Sequence, residues 1–310
     1  MRLRNALSKL GITALAAFST TATLAACADG TAGGSVAPAY PSDAGAMTVS
    51  AGENFYGDLL HQLGGSRLRI YAFLSNPNAD PHQYESNSSS ARAIADSRLV
   101  IENGLGYDAF VDKLLRASPD SRRVVINVQA LVGAPDGANP HLWYDPTVTP
   151  RVARAAADSL AKLDPANAAT YSANLGLLLT SLQPITDKVA SLKSRFQGAP
   201  VAFTEPVYGY MADAIGLSVL SPTAFMKAIE EGNDPPSQAV AAEQDLLTQH
   251  KVKVLLYNSQ TVTKITSAIR DLAVSNSIPV VGISETEAPG QTYQRWQLDE
   301  LGQLEAALSR

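Results

Sequence analysis

Two stretches of the sequence, ADPHQYE and NPHLWYDP, each place a histidine in a proline turn that is followed by an aromatic residue and a carboxylate. They contain His82 and His141, two of the four histidines in 310 residues. A proline biases the residue before it towards extended and turn conformations, and neutral imidazole is a common metal ligand. A single loop histidine is more often solvated or hydrogen-bonded than a ligand. The other two, His61 and His250, are interpreted as residues of solvated helix surface.

Two glutamates follow apolar runs in the same way. Glu205 comes directly after VAFT, and Glu285 comes directly after PVVGIS. In a parallel sheet the ligand crevice lies at the carboxyl ends of the strands, which is where both glutamates are expected, together with His82 and His141. A glutamate in this position is also common as a charge at the start of a helix. Any one of the four residues alone would not define a site.

The elements that must position these residues are eight short, β-branched runs separated by amphipathic segments. Four runs in each half of the chain indicate two parallel-sheet α/β lobes. The predicted strands are 48–51, 68–74, 99–102, 124–128, 201–204, 217–220, 252–257 and 279–283.

One long helix is predicted between the lobes, over residues 164–198. Asp164 and Pro165 suit its start, and Gly198 suits its end. Pro184 should kink it, because proline lacks the donor for the carbonyl four residues earlier. A continuous apolar stripe favours a helix lying across both lobes, with a coiled-coil seam as the alternative. The stripe consists of Tyr171, Leu175, Leu178, Leu182, Ile185, Val189, Leu192 and Phe196.

The two histidine motifs occur in order with GENFYGDLLHQLGG, IENGLGYDAFVDKLL, FTEPVYGYMADAIGL, AIEEGNDPPSQAV, VKVLLYNSQTV and PVVGISETEAPGQTY. In these motifs the chain from residue 47 to 310 resembles the metal-binding lipoproteins that supply zinc and manganese ABC importers. The resemblance implies two lobes with a rigid helical backbone and one divalent ion bound between them. It also implies an ABC permease and its ATPase as partners, and no chemical step.

The family uses four side chains as ligands, and the resemblance carries them over position by position. His82 matches the first ligand and His141 the second. Glu205 falls where zinc-selective members have a histidine and several manganese members a glutamate. Glu285 takes the place of the usual aspartate after the last strand, with Glu287 as the alternative, because this turn is shorter than in many relatives and the alignment could slip.

Ligand chemistry bears on the choice of metal. Zinc favours nitrogen ligands in a tetrahedral shell, whereas two carboxylates give a harder, oxygen-rich site that favours manganese or iron(II). Zinc nevertheless has the higher intrinsic affinity at most such sites. Manganese is therefore favoured over zinc, with iron(II) compatible, and the chain lacks a long histidine-rich loop.

The N-terminus begins with basic residues and an apolar run that ends in LAAC. This pattern predicts a lipoprotein signal peptide and a lipid anchor on Cys27, the only cysteine. The following Gly-, Ala-, Pro- and Ser-rich residues predict a flexible tether. The expected divisions are a signal peptide at 1–26, a tether at 27–46, an N-terminal lobe at 47–163, the linking helix at 164–198 and a C-terminal lobe at 199–310.

Charge and composition bear on the remaining functional classes. A net charge of −5 argues against nucleic-acid binding. The chain is expected to be a monomer, anchored on the extracytoplasmic face of a membrane. A metal-dependent hydrolase using the same ligands is the alternative, but four protein ligands would close a tetrahedral site to the water that such an enzyme needs. An adhesin is compatible with the anchor and has no other support in the sequence.

Overall fold

A computed structural model describes residues 36–310, so the predicted signal peptide and Cys27 lie outside the described residues. The described part contains two four-stranded parallel sheets, with strand orders β2-β1-β3-β4 and β6-β5-β7-β8. The strands of the first sheet are β1 Met47–Glu53, β2 Leu68–Leu74, β3 Leu99–Glu102 and β4 Val124–Asn127. Those of the second are β5 Pro200–Phe203, β6 Ser218–Val219, β7 Val254–Asn258 and β8 Val280–Ile283.

The two sheets confirm the predicted architecture of two parallel α/β lobes. Each predicted apolar run coincides with a strand, although β6 has only two residues. The central strands are covered on both faces, and every residue of β3 and β7 is buried. In both lobes the second strand lies on one side of the first strand, and the third strand lies on the other side. This reversal opens a crevice at the carboxyl ends of the strands.

Helices cover the sheets and connect their strands. None of those in the described part of the chain is both long and apolar enough to cross a membrane. They are α1 Asn54–Gly64, α2 Ser88–Asp96, α3 Ala109–Ala117, α4 Val128–Val132, α5 Val148–Leu163, α6 Ala168–Phe196, α7 Gly209–Ile215, α8 Thr223–Glu230, α9 Ser237–Thr248, α10 Lys264–Ser275 and α11 Tyr293–Leu308.

The long helix α6 lies within the predicted span and runs through Pro184. A 3-10 turn, Pro165–Asn167, precedes it, and the Asp164 carboxylate accepts hydrogen bonds from Asn167 and Tyr171. The predicted apolar stripe is buried or half-buried in one core that includes residues of both lobes, so the stripe is covered within this chain. Its fully buried members are Tyr171, Leu178, Leu182, Ile185, Val189 and Leu192.

Residues 36–46, predicted as part of a flexible tether, lie against the N-terminal lobe. The Ala39 N–H donates to the Ile70 carbonyl of strand β2 at 2.7 Å. The Tyr40 ring stacks on His61 with centroids 4.0 Å apart. His61 is therefore half-buried, and its interpretation as solvated surface is wrong. A tether before residue 36 stays a prediction.

One buried carboxylate in the core of the C-terminal lobe is only partly hydrogen-bonded. Glu243 on α9 is fully buried; its Oε1 accepts a hydrogen bond from Ser221 and its Oε2 has no partner. Burial raises the pKa of Glu243 from 4.5 to about 7, although the Ser221 hydrogen bond opposes the shift. Folding therefore favours the protonated carboxyl group. The resulting contribution to stability is present below pH 4.5 and is lost as the pH rises through about 7.

We expect Glu243→Gln to stabilise the metal-free protein at pH 8, by at most about 3 kcal/mol, while changing little at pH 5. A neutral amide imitates the protonated carboxyl group and cannot ionise. Urea unfolding of wild type and variant from pH 5 to 9 measures the difference. The exposed Glu231→Gln serves as the control and should show no gain that grows with pH. A constant difference for Glu243→Gln would contradict the assignment.

Candidate metal centre

Three of the predicted ligands converge between the lobes. The Oε2 atom of Glu285 lies 3.2 Å from His141 Nε2 and 3.7 Å from His82 Nε2. Potential ligand atoms of all three residues lie within 4.8 Å of one another, and residues 36–310 contain no other such group of three His, Cys, Asp or Glu side chains. The side chains of His141 and Glu285 are inaccessible to solvent, whereas that of His82 is 24% exposed. His82 therefore forms the solvent-facing side of the cluster.

His141 is oriented by the residue two positions before it. Asn139 Oδ1 lies 3.0 Å from the His141 N–H, which donates to it, and 2.6 Å from the ring Nδ1. Because an amide oxygen only accepts, this contact places a proton on Nδ1. The other ring nitrogen, Nε2, faces the Glu285 carboxylate and can either donate a proton to it or offer its lone pair to a metal ion. Only a positive charge between the two, from a proton or a metal ion, makes this contact favourable.

His82 is held by a short local structure. It lies in the 3-10 turn Pro81–Gln83, where Asp80 accepts a hydrogen bond from the His82 N–H at 2.9 Å. The ring contacts Tyr107 edge to face, with centroids 5.5 Å apart. Both histidines thus occupy proline turns, as the sequence predicts.

Glu285 follows β8 and is surrounded by donors. Its Oε1 accepts from Asn258 at 2.7 Å, and its Oε2 accepts from the Tyr107 hydroxyl at 2.9 Å. Burial raises the pKa of Glu285, but the hydrogen bond and charge of His141 and the charge of His82 outweigh it and lower the pKa to about 2. The carboxylate is therefore anionic in the folded protein.

Glu205 follows β5 and lies beside this cluster without joining it. Its Oε2 accepts from the same Asn258 amide at 2.7 Å, while its buried Oε1 has no hydrogen-bond partner. Burial and the negative charge of Glu285 raise the pKa of Glu205 to about 8. One amide thus separates two carboxylates, of which Glu285 is ionised and Glu205 is largely protonated at neutral pH.

The remaining candidates lie elsewhere. Glu287 is paired through its backbone with Asn54, and burial, with the charge of Asp58, raises the pKa of Glu287 to about 9. The glutamate that contacts the two histidines is Glu285, and Glu287 is not part of this cluster. His250 follows α9, is exposed, and has a positive φ of 50°.

Four residues that contact His141 or Glu285 were not predicted from the sequence: Tyr107, Glu230, Asn258 and Gln260. Glu230, at the end of α8, has an unpartnered Oε1 that lies 3.8 Å from His141 Nδ1. Asn258 is the last residue of β7 and Gln260 follows two residues later, so their position at the carboxyl end of a strand, like that of the glutamates, also points to them. The Tyr144 hydroxyl, three residues after His141, lies within hydrogen-bond distance of the Ser284 carbonyl, at 2.6 Å, and of Glu300 Oε2, at 2.7 Å.

Comparison with known proteins places this geometry in a family. The profile described as "Zinc-uptake complex component A periplasmic" (ZnuA) matches residues 49–307. The manganese-binding lipoprotein MntA of Halalkalibacterium halodurans is 25% identical over 185 residues, which span 57% of this chain and 61% of that protein. The iron ABC transporter substrate-binding lipoprotein MtsA of Streptococcus pyogenes serotype M1 is 22% identical over 284 residues, or 83% of this chain and 88% of that protein.

Solved structures share the fold. The periplasmic zinc-binding protein TroA from Treponema pallidum superposes with a TM-score of 0.72 at 18% identity, over 86% of this chain and 100% of that one. A ZnuA crystal structure gives a TM-score of 0.69 at 22% identity, over 84% and 98% of the two chains. As the sequence predicts, the chain belongs to the ZnuA family of metal-binding substrate-binding proteins of ABC importers, and it is a transport component, not an enzyme.

Proposed function

We propose that this protein captures one divalent transition-metal ion on the extracytoplasmic face of a membrane and delivers it to an ABC permease and its ATPase. The observation that carries the proposal is the meeting of two imidazole Nε2 atoms at one buried carboxylate oxygen, Glu285 Oε2. A cation at that point would satisfy all three groups. The ion is cargo, so the site needs no chemical step.

The proposed ligands are His82, His141, Glu285 and Glu205. The free Oε1 of Glu205 supports its inclusion, because a buried oxygen without a partner is costly unless it gains a donor or a cation. Glu205 would coordinate as the carboxylate, so metal binding would displace its proton. In this arrangement Glu285 carries the one carboxylate charge of the proposed ligand set without metal, and Glu205 would add a second when the ion enters.

Two nitrogen and two oxygen donors favour manganese over zinc, with iron(II) compatible. Relatives described as binding manganese and as transporting iron, in a family described by zinc uptake, are consistent with a range of first-row metals. Four protein ligands also argue against the hydrolase alternative, since they leave no tetrahedral position for water.

The location of the protein is part of the proposal. A lipid anchor on Cys27 would hold a monomeric binding protein at the membrane that contains its permease. The lipoprotein relatives support this interpretation. Labelling with radioactive palmitate in a bacterial host, for wild type and Cys27→Ala, tests the anchor.

We expect His82→Ala and His141→Ala each to weaken manganese and zinc binding more than about 100-fold, because even partners outside the metal shell contribute about 10–100-fold. Calorimetric titration of the metal-free protein measures the affinity. His250→Asn, which keeps a residue that tolerates positive φ, is the control and should bind like wild type. Wild-type affinity in either alanine variant would remove that histidine from the site.

Replacing Glu205 with histidine should raise the ratio of zinc to manganese affinity. The variant exchanges a hard anionic oxygen for a nitrogen and leaves a shell of three histidines and one carboxylate, which suits tetrahedral zinc. Competition titrations with both ions in one buffer measure the ratio. Glu205→Gln, which keeps the shape and loses the charge, should weaken both ions and manganese more. An unchanged ratio in Glu205→His would mean that Glu205 does not contact the ion.

Asn258→Asp should destabilise the metal-free protein and enlarge the increase in melting temperature caused by manganese. The substitution removes the amide shared by Glu205 and Glu285 and places a third carboxylate between them. The new carboxylate would repel those of Glu205 and Glu285, and a bound cation relieves that repulsion. Thermal unfolding with and without manganese provides the measurement. The exposed Asn233→Asp is the control, and an equal metal-induced shift in all three proteins would contradict a cation near Asn258.

A further inference from the structure

Gln260 joins the two sides of the metal centre with one side chain. It is 5% exposed and lies in the connection after β7. Its Oε1 accepts from the Glu285 N–H at 2.5 Å and from the Thr286 N–H at 3.1 Å. Its Nε2 donates to the carbonyls of Asn76 at 3.3 Å and Ala79 at 3.0 Å, and it also lies 3.1 Å from the Thr286 hydroxyl. The acceptor therefore holds the turn that carries Glu285, and the donor holds the segment that carries His82.

The segment 75–83 has few other connections. Its remaining hydrogen bonds are local, such as those from Ala79 N–H to the Asn76 carbonyl and from His82 N–H to Asp80. Within the described part of the chain, the bonds from Gln260 are the ones that tie this segment to residues beyond its immediate neighbours. Segments with few buried contacts and exposed backbone open at low free-energy cost. Without Gln260, the position of His82 would depend on its own side-chain contacts.

We infer that Gln260 is a positioning residue that holds His82 against Glu285 and so limits the rate at which the metal ion leaves. The inference rests on the proposed function. His141 and Glu285 are buried and held by other partners, so His82 is the ligand whose detachment would open the site to solvent. Release would then begin with loss of the two hydrogen bonds from the Gln260 amide. Entry of the ion would depend much less on them, since His82 is already partly exposed to solvent before the ion binds.

Two substitutions distinguish the role of the Gln260 amide oxygen as an acceptor from that of its nitrogen as a donor. Gln260→Glu keeps an acceptor for the Glu285 and Thr286 N–H groups, but when ionised it cannot donate to the Asn76 and Ala79 carbonyls. Gln260→Met removes both functions without adding charge. The added negative charge in Gln260→Glu would attract a cation directly, and the uncharged Gln260→Met shows whether repulsion of Glu285 contributes to any faster metal loss.

Gln297 provides a matched control. It is a fully buried glutamine on α11 whose amide nitrogen and oxygen both lack hydrogen-bond partners. Gln297→Met makes the same change of side chain as Gln260→Met at a position without those contacts. It should leave metal binding unchanged, and it should not destabilise the fold, because no hydrogen bond is lost.

The experiment measures manganese association and dissociation rates by stopped flow, with excess chelator to drive dissociation at pH 8. The full-length protein is used with each substitution alone and combined with His82→Ala. We expect Gln260→Glu and Gln260→Met to raise the dissociation rate about 10-fold or more, with the association rate within about 3-fold of wild type. In the His82→Ala background, neither substitution should accelerate release further. Such non-additivity is the sign that Gln260 acts through His82.

The outcomes are distinguishable. If Gln260 substitutions accelerate release equally with and without His82, the effect passes through Glu285 or through general destabilisation, and the inference is overturned. Unchanged dissociation rates in folded variants overturn it as well. If His82→Ala itself binds manganese like wild type, the proposed site fails first, independently of Gln260. Should Gln260→Glu not fold, Gln260→Met allows the same comparison without a buried charge.

Discussion

The burial of one anionic carboxylate, that of Glu285, is the constraint on which the centre of the molecule depends. An isolated carboxylate without solvent access is strongly destabilising unless it is paired and hydrogen-bonded. Here the partners come from both lobes, with Tyr107 and His141 on one side and Asn258 on the other. Correct packing of the two lobes against each other is therefore needed to accommodate this charge. The same requirement makes the position attractive to a cation.

The two lobes contribute different chemistry to the site. They share one strand order, and the carboxyl ends of both sheets point into the same crevice. The N-terminal lobe provides the two imidazoles, His82 and His141, whereas the C-terminal lobe provides the carboxylate of Glu285 and, beside it, that of Glu205, the proposed fourth ligand. Neither lobe alone has the mixed donor set. The helix α6, which packs into a core shared by both lobes, keeps the two halves of that set at a defined separation.

Much of the fold and most of the site could be predicted from local features of the sequence. The strands were visible as apolar runs, and His82, His141 and Glu285 as polar residues in turns that follow them. The amides of Asn258 and Gln260 also lie at the carboxyl end of a strand, but an amide has no chemistry that distinguishes a ligand-holding residue from an ordinary loop residue. Their roles depend on the residues that pack against them from distant parts of the chain, and the sequence around each amide does not reveal those partners.

Long-range packing also explains the other differences. Glu230, at the end of α8, lies 3.8 Å from His141 in the other lobe, and nothing in the sequence near Glu230 indicates this contact. His61 follows a helical pattern that suits a solvated face, yet the ring of Tyr40, twenty-one positions earlier, covers it. A residue in a Gly- and Pro-rich stretch gives no sign that it will pack against a helix.

The placement of residues 36–46 has a consequence for self-association. Strand β2 lies at the edge of its sheet, and an exposed edge offers unpaired backbone groups to another chain. The Ala39 N–H occupies the Ile70 carbonyl on that edge, so the segment shields part of it from strand addition by a second molecule. Under the proposed lipid anchor the protein would meet its own copies often at the membrane surface, and a covered edge would help it to remain a separate, mobile carrier.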